Sequence, residues 1–177
     1  GVRIVSDEIH ADLTFKPNHH VPMASVSSEI SDITITLNSP GKTFNLGGLQ
    51  CGYAISKNKS MRTRFKRALR SASLLELNLF ASVAMQAAYS EKGLEYRGAL
   101  LELLGQHVDR VNEFFKAYAP NVKVMNPEAS FLLWIDFRAL FDNPCDLKHW
   151  MINECKLGLN EGLSFGDCGA GFMRMNI

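Results

Sequence analysis

The chain opens with an alternating, β-branched run, Val2 to Ser6, whose two-residue period is that of a strand with one covered face. It meets Asp7-Glu8-Ile9-His10, so Asp7 falls at or just past the carboxyl end of that strand, where ligands of α/β sheets gather. Residues 11 to 30, with Pro17, Pro22 and the serines Ser25, Ser27 and Ser28, read as loop. Ile33 to Leu37 predicts a second strand, ending before Asn38-Ser39-Pro40-Gly41, and Cys51 to Ile55 a third. From Ser60 the period lengthens to that of a helix. Met61 to Leu69, with Arg62, Arg64, Lys66, Arg67 and then Arg70, presents a basic face that reads as solvated. Leu74 to Tyr89 is rich in Ala and Leu with few charges and predicts a buried helix. Glu91 to Tyr118 is the longest helical stretch; at about 1.5 Å per residue it reaches about 40 Å, enough to link two domains. After Ala119-Pro120 the pattern gives strands at Val122 to Met125 and Ser130 to Asp136, a helix at Leu147 to Lys156, and a closing strand at Phe172 to Asn176.

This order predicts an α/β chain. The first three strands fit the edge of a mixed, mostly parallel sheet, and the remainder forms a small α+β domain. The boundary falls on the long helix near Ala99, giving residues 1–98 and 99–177. Composition narrows the partners: 19 basic against 18 acidic side chains leave a formal charge of +1, which calls for neither nucleic acid nor an anionic membrane surface. No apolar run approaches the roughly 20 residues that span a bilayer. The four cysteines, Cys51, Cys145, Cys155 and Cys168, form no C-x-x-C pair, as expected of reduced thiols in a cytoplasmic protein and against a zinc site. The adjacent His19-His20 reads as surface. Both ends lie inside strand-like sequence, whereas termini usually fray outside elements, so a piece of a longer polypeptide is expected.

Ser39-Pro-Gly-Lys-Thr-Phe-Asn-Leu-Gly-Gly-Leu49 holds a single lysine among turn-forming residues. Its Gly-Lys-Thr is not a phosphate loop. That pattern needs a glycine where this chain has Thr36, and a helix opening at the lysine, whereas Gly47-Gly48 makes a poor first turn. A lysine amine can instead act as nucleophile and base toward a carbonyl. Lys42 has fitting company in the Asp7 carboxylate, the Ser39 hydroxyl three residues before it, and Arg174 in the last strand. The glycines at Gly47 and Gly48 are expected to let the chain pass close behind. Gly166, Gly169 and Gly171 lack the dinucleotide order and read as a turn before Arg174; Tyr53, Trp134 and Trp150 read as core or interface aromatics.

Three ordered segments, residues 6 to 13 (SDEIHADL), 39 to 50 (SPGKTFNLGGLQ) and 165 to 176 (FGDCGAGFMRMN), resemble the fold type I, class I/II aminotransferase family of pyridoxal phosphate (PLP) enzymes. The likeness is greatest to its cystathionine β-lyase, or C–S lyase, branch. The resemblance runs through the whole chain. It implies the C-terminal part of a PLP-binding large domain over 1–98 and the small C-terminal domain over 99–177. It implies that Lys42 carries PLP, that Asp7 lies beneath the pyridine nitrogen, that Ser39 meets the phosphate and that Arg174 clasps the substrate α-carboxylate. His10 stands where the wider family often has a tyrosine near the ring hydroxyl, and a structural, hydrogen-bonded role fits it equally. Many aminotransferases place a phosphate-binding arginine where this chain has Gln50, and in lacking it the chain resembles the C–S lyase branch.

The implied activity is cleavage of cystathionine or a related cysteine conjugate to thiol, pyruvate and ammonia, with amino-acid transamination as the alternative within the family. A non-catalytic regulator or an inactive piece of the same fold is the alternative outside it. The resemblance also implies a homodimer and further cofactor contacts from a preceding segment, so residues 1 to 177 alone are expected to be inactive.

Overall fold

A computed structural model describes all 177 residues, which divide into two compact units, Gly1–Ala99 and Leu100–Ile177. In the first unit, β1 (Ile4–Asp7), the short helix α1 (Ser28–Ile33), β2 (Thr34–Asn38) and β3 (Tyr53–Ile55) precede α2 (Lys59–Ser71) and α3 (Leu79–Ala88). Helix α4 (Glu91–Tyr118) runs across the boundary. The second unit continues with β4 (Lys123–Met125), β5 (Leu132–Asp136), α5 (Pro144–Asn153), β6 (Asn160–Glu161) and β7 (Phe172–Asn176).

The first sheet has the order β1-β2-β3 and is mixed. β1 and β2 run parallel with Asp7 opposite Leu37. β3 returns antiparallel, with Asn38 opposite Tyr53. Parallel neighbours need a long crossover; here it contains two 3-10 turns, Ala11–Leu13 and Met23–Ser25, followed by α1. The segment expected to be loop is thus partly helical. The serine cluster caps rather than breaks, because Ser27 Oγ accepts the N–H of Ile30 at 3.2 Å, the usual service of a serine at a helix start. Asparagine does the same at Asn58 for α2, at Asn78 for α3 and at Asn143 for α5, and the last of these, with Pro144 in the first turn, starts α5 earlier than its apolar pattern suggests.

Helix α3 starts later than expected, and its exposure is that of these 177 residues alone. It begins only at Leu79, and its large side chains face out: Leu79 is 76% and Phe80 75% exposed, while the buried positions are the small Ala81 and Ala88. An apolar composition marked the helix without saying which face the neighbouring backbone could approach closely.

The second sheet, β4-β5-β7-β6, is antiparallel throughout. Leu133 and Ile135 of β5 and Met173 of β7 turn to one face, where they are at most 2% exposed and pack with Leu147 and Met151 of α5. Val108, Val111 and Phe115 of α4 close the cluster. Alternation along β5 and β7 leaves Trp134, Phe172 and Arg174 on the other face. There Trp134 stacks on Phe172 at 5.4 Å between centroids, and Phe165 meets Trp134 edge-on at 5.6 Å.

Candidate functional site

Because β1 and β2 are parallel, their carboxyl ends lie at one edge of the sheet, and the connection from β2 to the antiparallel β3 must turn sharply there. That connection is the lysine segment. Ser39 N–H donates to Asn38 Oδ1 at 2.7 Å, Phe44 N–H to the Pro40 carbonyl at 2.9 Å, and Leu46 N–H to the Gly41 carbonyl at 3.0 Å. A helix-like turn results, with Lys42 exposed on it and Pro40 and Thr43 buried beneath it. The close approach is at Gly41, where a Cβ would stand 3.0 Å from Ser39 Oγ and 3.4 Å from Gly47 Cα. At Gly47 and Gly48 a Cβ would meet nothing within 4 Å, which corrects the expectation that these two glycines provide the close passage.

Asp7 ends β1 at the same edge, exposed, with its Oδ1 accepting the N–H of Ile9 at 3.2 Å. His10 follows on the turn that leads into Ala11–Leu13, half-buried. Burial and the positive charge of Lys42 lower its pKa below the ordinary histidine value, while the Asp7 carboxylate opposes them. His10 thus lies within electrostatic reach of both Asp7, three residues before it, and Lys42, far from it in sequence.

Ser39 is committed to the turn. Its hydroxyl donates to the Cys51 carbonyl at 2.6 Å and accepts the Gly41 N–H at 2.9 Å. Thr43 is fully buried, and its Oγ1 has no hydrogen-bond partner, a costly arrangement for a buried hydroxyl. Gln50 is exposed in a left-handed conformation, φ 51°.

Two residues at this edge escaped the sequence reading. Glu8, 7% exposed, accepts from Ser6 Oγ at 2.9 Å and Met23 N–H at 3.0 Å on one oxygen, and meets His20 Nε2 at 2.9 Å on the other. Burial alone would raise its pKa, but the hydrogen bonds from His20, Met23 and Ser6 outweigh it and hold the carboxyl below its ordinary value. His20 is thus a partner of a buried carboxylate, not a bare surface residue. Asn78 is the other: besides capping α3, its Nδ2 donates to the Leu49 carbonyl at 2.9 Å and ties the helix start to the lysine segment.

Arg174 lies in the second unit. Its Nη2 donates to Asn160 Oδ1 at 3.1 Å, its Cζ sits 4.6 Å above the Phe165 ring centroid, and its buried Nε has no partner. No carboxylate of that unit pairs with it, whereas Arg138, 4.6 Å above the Phe172 ring, is held in a fork by Asp136 at 2.9 and 2.8 Å. A guanidinium with a donor to spare and no counter-charge suits a planar anion.

Comparison with known proteins agrees with the motif order. The chain is 39% identical over 176 residues to cystathionine beta-lyase PatB of Bacillus subtilis, covering 99% of this chain and 45% of PatB. It is 30% identical over 177 residues to protein MalY of Escherichia coli, covering 99% of this chain and 44% of MalY. Cystalysin from Treponema denticola, whose crystal structure contains a pyridoxal 5'-phosphate cofactor, superposes with a TM-score of 0.94 at 32% identity, covering 99% of this chain and 44% of cystalysin. The chain thus spans somewhat under half the length of these relatives. The family model for aminotransferase class I and II matches residues 1–177 from end to end, and the chain belongs to that family.

Proposed function

We propose that the chain is part of a PLP-dependent C–S β-lyase, residues 1–98 belonging to its PLP-binding large domain and residues 99–177 to its small domain, which is incomplete at its end. Cystathionine or a related cysteine conjugate, with water, gives thiol, pyruvate and ammonia. The reading is supported by the placement of Asp7 and of the Lys42 segment at the carboxyl edge of the parallel pair β1–β2, with His10 in electrostatic reach of both, and by the identity to a cystathionine β-lyase.

The residues present fit the cofactor. An exposed amine, Lys42, and an exposed carboxylate, Asp7, share the carboxyl edge of the sheet. When bound, PLP supplies an electron sink for negative charge at the substrate Cα. Lys42 would hold the cofactor, and its amine, when free, would take the Cα proton. Asp7 would meet the pyridine nitrogen and favour its protonated form. His10, whose pKa burial and Lys42 lower, would face the ring hydroxyl. Ser39 is assigned to the phosphate, which requires its proton to leave the Cys51 carbonyl. Arg174 receives the α-carboxylate.

The test is incubation of the full-length protein with cystathionine. Thiol and pyruvate released without an added keto acid support the lyase, whereas turnover strictly dependent on a keto acid makes the protein an aminotransferase. Visible absorbance of lysine-bound cofactor, lost in Lys42→Ala, checks the anchor. A full-length protein that shows no such band with added PLP has no cofactor role, and the regulatory reading of the fold takes over.

A further inference from the structure

Arginine can only donate hydrogen bonds, so the Asn160 group facing Nη2 is necessarily the amide oxygen. That oxygen takes up a donor but carries no net charge, so the guanidinium stays uncompensated. Phe165 covers one face of the same group at 4.6 Å, which leaves its remaining donors directed along the edge of the plane. Phe165 is itself braced by the edge of Trp134 at 5.6 Å, and Trp134 lies opposite Arg174 in the strand register. The turn that carries Phe165, Gly162–Phe165, is locked by backbone. A Cβ on Gly162 would fall 2.1 Å from the Gly169 carbonyl oxygen, so the turn beneath the ring packs backbone closely against backbone.

We propose that Asn160 and Phe165 are positioning residues that fix the plane and the free edge of Arg174, and that through this they set preference for substrates bearing a planar carboxylate. The inference rests on the proposed reading of Arg174. Asn160 keeps the guanidinium's charge available, because an acid at that place would satisfy it internally. Phe165 stops rotation of the plane, so a two-pronged contact forms without reordering a long side chain.

The full-length holoenzyme is tested with 3-(methylthio)propionate, which lacks the amino group and cannot react, and with its neutral amide. Dissociation constants for both are measured for wild type, Asn160→Asp, Phe165→Leu, Phe165→Tyr and Arg174→Lys. Asn160→Asp is expected to weaken carboxylate binding at least tenfold and Phe165→Leu about fivefold, with amide binding unchanged and Phe165→Tyr restoring the wild-type value. With cystathionine, both weakening variants raise KM by similar factors and leave kcat within about twofold. If Arg174→Lys loses the carboxylate preference while Asn160→Asp or Phe165→Leu keeps it, positioning by that residue is overturned and the reading of Arg174 stands. If Arg174→Lys also binds as wild type does, the reading of Arg174 fails and the inference with it.

Discussion

Glu8→Ala offers the sharpest test of how the Asp7 edge is held. Glu8 occupies the position after Asp7, its N–H donates to the Leu37 carbonyl at 2.9 Å, and its carboxylate gathers Ser6, His20 and Met23. Hydrogen bonds to a charged acceptor contribute about 1.5–3 kcal/mol each, yet they are not additive, and the freed donors here regain some water. A loss of about 2–4 kcal/mol is expected, or a fall in melting temperature of about 2–4 °C for each kcal/mol. Glu8→Gln keeps the shape and one acceptor oxygen and should lose about half as much. The pH dependence has a definite sign. The folded pKa of Glu8 is depressed, so its stabilisation is complete above the ordinary carboxylate range and disappears as the pH falls through the folded value. Urea unfolding of wild type and Glu8→Ala from pH 7 down to pH 3 should therefore give curves that converge on the acid side. Equal stability at pH 7, or a gap that does not narrow in acid, refutes the reasoning. Since the carboxylate pins residues 20 to 23 beside Asp7, the variant should also need more PLP to reach half-maximal visible absorbance.

Other outcomes follow from the same structure. The His10 titration, followed by NMR, should move up in Lys42→Ala, which removes a depressing charge, and down in Asp7→Asn, which removes the opposing one. Gly162→Ala should destabilise by about 3 kcal/mol or more in chemical denaturation, because the new methyl meets backbone oxygen at 2.1 Å. Gly98→Ala, in α4 with nothing within 4 Å of the added carbon, should stabilise by about 0.5–1 kcal/mol. Ile135→Ala, at a position with 0% exposure, should cost about 2–5 kcal/mol by the same assay.

What could be read from the sequence is what local pattern determines. The long helix appears from Glu91 to Tyr118 as its periodicity predicts, and the three main strands of the second sheet lie where alternation puts them. Asp7 at a strand end was legible for the same reason. Strand β6 was not, since two residues, Asn160 and Glu161, carry no period at all. Nor was Glu8, whose partners lie 12 and 15 residues away, or Asn160, 14 residues before Arg174. Such contacts depend on where separate elements meet, and a lone chain pattern holds no record of that. The outward turn of Leu79 and Phe80 escaped for a related reason: apolar content says that a face will be covered, but not by what.

Glu8 and Arg174 together give a criterion for sorting charged residues in this fold. Both are conspicuous, yet the two Glu8 oxygens take three partners from their own unit, while Arg174 has one neutral acceptor, a covered face and an unpartnered Nε. A buried charge that is fully met holds structure, and removing it leaves its donors exposed to their own desolvation cost. A charge with no opposite charge in its own unit remains available to an anion. On this argument Glu8 variants should lose stability first and substrate affinity second, and Arg174 variants the reverse. Arg174→Ala in particular should leave the unfolding midpoint nearly unchanged while KM for α-carboxylate substrates rises by about two orders of magnitude, the 2–3 kcal/mol or so expected of a lost charge-assisted pair. A large loss of stability with little change in KM would place Arg174 with Glu8, among the residues that hold the fold.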